Sequence, residues 1–90
     1  MIMYQINLVT YNTEVNKKNA LRKIVNRQKR ILGGRFESVK FARKALKEFF
    51  EKDGYQIGNE VEEKGSETYV KTLFFGNVMI ETEYKIIKCN

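Results

Sequence analysis

The feature that most constrains the fold is a two-residue turn near the C-terminus, Gly76 and Asn77, which alternating apolar residues flank on both sides. Glycine and asparagine tolerate the positive φ angles that tight hairpin loops require. A loop of two residues fixes the pairing of its strands, and the side-chain alternation then decides which residues share a face. The resulting register places three apolar pairs on one face of the hairpin: Phe75 with Val78, Leu73 with Ile80, and Tyr69 with Tyr84. The sequence therefore predicts that this face is buried.

Two more segments are typical of strands. Residues 2–9 alternate between two sets of side chains, one of them wholly apolar, which predicts a first strand that ends in the polar stretch 11–16. Residues 55–63 precede a turn at 64–66 and are predicted as the first strand of a three-stranded antiparallel meander. The C-terminal third of the chain is thus expected to form a small sheet together with the first strand.

Two helices are predicted between these strands. Apolar residues recur at helical spacing over residues 17–32, and Gly33 and Gly34 would then end this first helix. Ser38 is a suitable N-cap for a second helix, which Gly54 would close. The apolar stripe of the second helix consists of Val39, Ala42, Leu46, Phe49 and Phe50.

The predicted fold is a single α+β domain spanning residues 1–90, with the order β-α-α-β-β-β and both helices packed on one face of an antiparallel sheet. Ninety residues are enough for one hydrophobic core and too few for two. This order is similar, in topology alone, to that of the RelE-like ribonuclease toxins.

Positive charge is concentrated in one part of the chain. The net charge is +6, and residues 15–36 contain eight cations and no acid. On the predicted helix 17–32 the cations form two rows, with Asn19 and Asn26 between them. Asparagine can bind adenine in a major groove, and flanking cations can contact phosphates. The predicted nucleic-acid-binding residues are Lys17, Lys18, Asn19, Arg22, Lys23, Asn26, Arg27, Lys29, Arg30 and Arg35.

Other kinds of chemistry have less support. The chain has no histidine and a single cysteine, Cys89, so we predict neither a metal site nor a cofactor. The acidic residues have no ligand spacing and are interpreted as solvating charges. No long apolar run or export signal is visible, and the lone cysteine is typical of a reducing compartment; a cytoplasmic location without membrane contact is expected.

Three functions remain open from the sequence. The leading hypothesis is a small non-enzymatic nucleic-acid-binding or regulatory protein that uses the basic helix, with DNA or RNA as partner. The first alternative is a phage- or virus-encoded inhibitor, similar to anti-CRISPR proteins, that binds a larger host protein of nucleic-acid processing. The second is a metal-independent, RelE-like ribonuclease, whose candidate residues would be Tyr11, Arg22, Arg27 and Tyr84.

Two smaller features of the sequence are also candidate contacts to nucleic acid. Phe41 falls at the polar edge of the second helix, where we expect it to pack beneath the first helix or Phe36, with stacking on a base as the alternative. Gly33 and Gly34, followed by Arg35, could offer backbone amides to a phosphate, but two glycines between helices usually form a turn.

Overall fold

The computed structural model describes the backbone of residues 2–16, 21–65 and 67–89, and the side chains of residues 2–14, 28–65 and 67–89. Its elements are β1 (Met3–Asn16), β2 (Leu21–Phe36), α1 (Val39–Lys52), β3 (Val61–Glu63), β4 (Thr68–Phe75) and β5 (Val78–Cys89). The strands form one antiparallel sheet in the order β2-β1-β5-β4-β3. β2 therefore lies at one edge of the sheet and β1 lies inside it.

The predicted first helix is wrong. Of residues 17–32, those from Leu21 onward belong to β2, which pairs with β1, and residues 17–20 lie outside the described residues. Because β5 occupies only one edge of β1, a helix at this position would have left the peptide groups along the other edge of β1 without strand partners. Pairing with β1 overrides the helical preference of Lys, Arg, Gln and Leu. The order over the described residues is β-β-α-β-β-β with one helix, not β-α-α-β-β-β.

The two glycines predicted to end that helix instead interrupt the pairing of β2. Tyr4 pairs with Phe36 and Ile6 pairs with Leu32, so residues 33–35 of β2 lie opposite Gln5 alone. Gly33 has a φ of 68°, a left-handed conformation that glycine adopts without a Cβ clash. The glycines thus mark a β-bulge rather than a helix end.

The polar stretch 11–16, predicted to end the first strand, continues β1 to Asn16. Its residues keep the alternation of a strand, since Thr13 is buried while Glu14 is exposed. Thr13 lies opposite Met79 of β5, and both side chains are only 4% exposed. β1 is therefore longer than its apolar N-terminal half indicates.

The second predicted helix is confirmed as α1. The Ser38 hydroxyl accepts a hydrogen bond from the backbone N–H of Phe41 at 3.2 Å, which satisfies one of the free amides of the first turn. Ala42, Leu46 and Phe50 are buried. They pack with buried residues of the sheet: Ile6, Leu8, Val61, Tyr69, Tyr84 and Ile86.

Aromatic rings form the centre of this core. The Phe50 ring meets the Tyr84 ring edge-on, with 4.9 Å between the centroids, and lies 5.9 Å from the Tyr69 ring. Such pairs add about 0.5 to 1.5 kcal/mol each beyond the burial of their surface. Phe50 and its two tyrosine partners therefore hold the helix on the sheet together with Ala42 and Leu46.

The predicted C-terminal hairpin is confirmed, with the expected pairs Phe75–Val78, Leu73–Ile80 and Tyr69–Tyr84. The expected first meander strand is reduced to Val61–Glu63, because the preceding residues turn, with the Glu60 N–H donating to the Gln56 carbonyl at 3.0 Å. The predicted burial of the hairpin face holds for only part of its length.

Burial along that hairpin face decreases with distance from the helix. Tyr69 and Tyr84 are buried and Leu73 and Ile80 partly buried, whereas Phe75 is 67% exposed. A helix of 14 residues is about 21 Å long, but a strand of 14 residues extends about 45 Å, so α1 covers less than half of β1. We call the remainder, beyond Thr10 and Thr82, the distal half. It ends at residues 76–77 and at the β1–β2 connection, because Glu14 pairs with Val78.

Candidate nucleic-acid interface

The basic segment of the sequence forms an edge of the sheet. β2 pairs with β1 alone, so its second edge has no strand partner among the described residues. Lys29, Arg30 and Arg35 are exposed, and no ion pair within the described ranges involves them. Charged side chains on an edge strand also discourage pairing with another chain. The edge of β2 thus presents positive charge that is not neutralised by described acids.

The other predicted binding residues are only partly described. Arg22, Lys23, Asn26 and Arg27 lie in β2, where their Cα partners in β1 are Val15, Glu14, Asn12 and Tyr11. The side chains of these four β2 residues lie outside the described part, and so do Lys17, Lys18 and Asn19 as a whole. The two basic rows with asparagines between them required a helix, and this arrangement is wrong. The cations instead follow one another along a strand.

The face of the sheet opposite α1 carries mixed charge and is open around Tyr11, although Thr13 and Met79 farther along β1 and β5 are buried. In one row across the sheet, Lys29 lies beside Val9, which pairs with Glu83. Glu83 also forms an ion pair with Lys85 at 3.3 Å. A shallow depression of about 470 Å³ on this face includes Asn7, Tyr11, Lys29, Ile31, Lys85 and Ile87 in its lining. Among the described residues of this face, Lys29 in β2 has no ion-pair partner, whereas Lys85 in β5 is paired with Glu83.

The ribonuclease candidates are brought together only in part, because Tyr11 and Arg27 are Cα partners in β1 and β2, whereas Tyr84 lies on the other face. Tyr84 pairs with Leu8 on the helix-covered face and is 2% exposed. Tyr11 is three residues beyond Leu8 in β1 and lies on the opposite face, in the lining of the open depression. Burial, with a smaller contribution from Asp53, raises the pKa of Tyr84 to about 12, although the charge of Arg30 acts in the opposite direction. Tyr84 is a core residue and cannot share a surface site with Tyr11.

The structure reveals a second basic region, of which the sequence interpretation had selected Arg35 as a binding residue and considered Phe41 for stacking on a base. Lys40, Lys44 and Lys47 are exposed on the outer surface of α1, and Phe41 beside them is 55% exposed. We call Arg35, Lys40, Phe41, Lys44 and Lys47 the helix patch. One signal was available in the sequence, because the first turn of α1 has no acidic residue, although acids are favoured there.

Arg43, in the same helix, has a structural role instead. Its Nε donates to the Tyr69 hydroxyl at 3.4 Å, and its Nη2 lies 3.0 Å from Oε1 of Glu63. The hydrogen bond to Tyr69, followed by the effects of Tyr69 and Glu63 charge, raises the pKa of Arg43. These contacts connect α1 with β3 and β4, so Arg43 is not counted among the cations available to a ligand.

Other kinds of site were sought in the same residues. No group of three or more His, Cys, Asp or Glu side chains suited to a metal ion occurs in the described ranges. No described helix is long and apolar enough to cross a membrane. Among the acidic residues of the first meander turn, Glu62 pairs with Lys64 at 3.7 Å and Glu63 with Arg43.

Comparisons with known proteins were made with the whole chain. No protein-family model, curated protein or solved structure matches it. The function must therefore be inferred from the residues of the chain itself.

Proposed function

We propose that the protein binds nucleic acid through the edge of its sheet formed by β2. The supporting observation is the acid-free run of eight cations in residues 15–36, most of which belongs to this one edge strand. Lys29, Arg30 and Arg35 are exposed and have no ion-pair partner among the described residues. Unneutralised cations in such a row repel one another, and an anionic ligand relieves that repulsion.

The shape of β1 and β2 is compatible with this ligand. The two strands form a long antiparallel ribbon, paired from Tyr4–Phe36 to Asn16–Leu21. Because β1 also pairs with β5 from Met3 to Glu14, β2 is the accessible strand of the two. Its cations can follow the phosphates of a duplex or the backbone of a single strand. The proposal thus keeps the ligand class indicated by the sequence and replaces a helix in a groove with a basic sheet edge.

The test is the salt dependence of binding. Engagement of about four to six cations on B-form DNA implies that log affinity falls with log salt with a slope of roughly 3.5 to 5.5. Replacing Lys29 and Arg30 together by glutamine should lower this slope by about 1.8, or by about 1.4 for a single strand. Both side chains are exposed, so the fold should be unchanged.

The matched control removes two positive charges elsewhere. Lys64 already pairs with Glu62, and Lys52 lies in the last turn of α1; neither belongs to β2 or lines the depressions that contain Lys29, Arg30 or Arg35. Their replacement by glutamine should leave the slope nearly unchanged. The proposal fails if wild-type protein binds neither DNA nor RNA at low salt, or if both double variants lower the slope equally.

A second candidate function is binding to a protein of nucleic-acid processing, as in the inhibitor hypothesis. Phe74 and Phe75 are 69% and 67% exposed at the end of β4. β3 pairs only with residues 69–71 of β4, so the edge of β4 beyond Lys71 has no strand partner in the described chain. An exposed apolar edge can receive an extended segment of a partner. Co-purification of one stoichiometric partner, lost on replacing Phe74 and Phe75 by serine, would favour this candidate.

A further inference from the structure

The helix patch contains an aromatic ring that the core does not use. Phe41 lies in the first turn of α1, away from the stripe of Ala42, Leu46 and Phe50. Its side chain is 55% exposed, and the ring pairs found within the described residues do not include it. The expected packing beneath a first helix does not occur, because residues 21–32 form β2. The ring is thus accessible on one side of the helix.

Cations surround this ring. Lys40 precedes Phe41 in the helix, and Lys44 follows it by three residues, on the same side. Neither lysine forms an ion pair among the residues that the structure describes. Lys40 and Lys44 are four residues apart, a spacing at which like charges destabilise a helix, and Lys40 lies in its positive first turn. Glu48, four residues after Lys44, offsets part of this repulsion. An anionic ligand would relieve the remainder.

The helix patch is also connected to the proposed β2 interface. Arg35 belongs to β2, yet it lines the same depression of about 450 Å³ as Phe41 and Lys44. A chain of phosphates that follows the edge of β2 can therefore continue to α1 through Arg35. The acids in the lining of this depression are Glu37 and Glu48.

From these observations we infer that the helix patch binds single-stranded nucleic acid, with one unpaired base stacked on the Phe41 ring and the neighbouring phosphates held by Arg35, Lys40 and Lys44. Aromatic rings between cations bind single strands in this way, because every base has a face to stack and the bases of a duplex do not. The inference rests on the proposed function, but its residues in α1 are different from those of β2. It adds a preference for unpaired strands that the cations of β2 alone do not supply.

The direct test is fluorescence. The chain has no tryptophan, so Phe41→Trp introduces a single reporter at the inferred stacking position. Oligothymidylate and oligouridylate should quench its emission, whereas an abasic oligonucleotide of equal length and charge should not. Phe74→Trp, at another exposed phenylalanine in the distal half, is the control and should show no change. Unchanged emission of the Phe41→Trp variant, while anisotropy shows the oligonucleotide bound, would overturn the inference.

Affinity gives an independent test. Phe41→Leu keeps an apolar side chain but removes the ring, so affinity for oligothymidylate should fall about 5- to 150-fold, while affinity for a duplex stays unchanged. Melting temperature should show an intact fold, since more than half of the side chain is exposed. Comparable affinities of Phe41→Leu and wild type for single strands would refute the stacking site.

The failures of the two proposals are distinguishable. Loss of binding in the Lys29 and Arg30 double variant but not in Phe41→Leu would leave the β2 interface standing without the stacking site. If Phe41→Leu loses binding and the Lys29 and Arg30 double variant does not, the result would support the helix patch and refute the β2 interface. Absence of any binding by wild-type protein would refute both.

Discussion

Replacing Leu46 and Leu73 by alanine, one at a time, tests which part of the sheet α1 covers. Leu46 belongs to α1 and is fully buried against the sheet, whereas Leu73 lies in the distal half and is only partly buried. Leu→Ala removes about three carbon atoms, equivalent to about 2.4 kcal/mol of transfer free energy for a fully buried side chain. At Leu46 the cavity left behind raises the expected loss of unfolding free energy to about 3 to 5 kcal/mol.

The cost at Leu73 should be much smaller. Its side chain is largely but not fully buried, so it contributes less than the full transfer free energy, and its opening to solvent leaves no enclosed cavity; about 1.5 kcal/mol is expected. This is below the roughly 2 to 5 kcal/mol that burial of the whole hairpin face would imply. Urea unfolding, with the denaturant slope unchanged between the variants, measures both values. Equal losses for Leu46→Ala and Leu73→Ala would mean that the distal half is covered, and the reasoning about helix length would be wrong.

The remaining predictions concern ionisation, capping and catalysis. Burial raises the pKa of Tyr84 to about 12, so as the pH rises the unfolded chain loses this proton before the folded protein does. The free energy of unfolding should therefore fall by about 2 to 3 kcal/mol between pH of about 10 and 12. Tyr84→Phe should be less sensitive over that range in urea unfolding, and equal sensitivity would contradict the assignment. Ser38→Ala should lower the unfolding free energy by about 1 kcal/mol through loss of the cap on α1; no measurable change would show that the cap contributes nothing. RNA incubated with the protein in EDTA should stay intact, and cleavage abolished by Tyr11→Phe in a folded variant would establish the ribonuclease alternative.

Local signals were sufficient for two elements of the fold. The loop at Gly76 and Asn77 determined the register of β4 and β5, and Ser38 with the stripe ending at Phe50 identified α1. In both cases the residues that determine the structure are close together in the sequence. Such elements can be recognised without knowing what the rest of the chain does.

β2 could not be recognised in the same way, because its conformation depends on the edge of β1. Its lysines, arginines and leucines favour a helix, and apolar residues recur at helical spacing over residues 17–32. One contrary signal was present, since residues 26–30 contain no apolar side chain over more than a full helical turn. The extension of β1 through Asn12, Thr13 and Glu14 gave no such signal, because all three residues are polar and their alternation of burial arises only in the folded sheet.

The sequence predicted the charge of the candidate site but not the positions of its residues in the fold. The charge of residues 15–36 is evident from the sequence, whereas the position of those cations at a sheet edge follows from long-range pairing. The sequence indicated Phe41 as an alternative stacking residue, but its exposure depends on what lies beside α1. Its connection to Arg35 likewise arises only when β2 and α1 meet.

The short reach of α1 has a consequence for amide hydrogen exchange. Amides of β1 near Ile6 and Leu8 lie under the helix and should exchange only when the whole domain opens, whereas those beyond Asn12 should exchange through smaller openings of the distal half. The two ends of a single strand would then report different free energies. A ligand that contacts only the ribbon near residues 12–16 should slow exchange there first, before it changes the melting temperature of the domain.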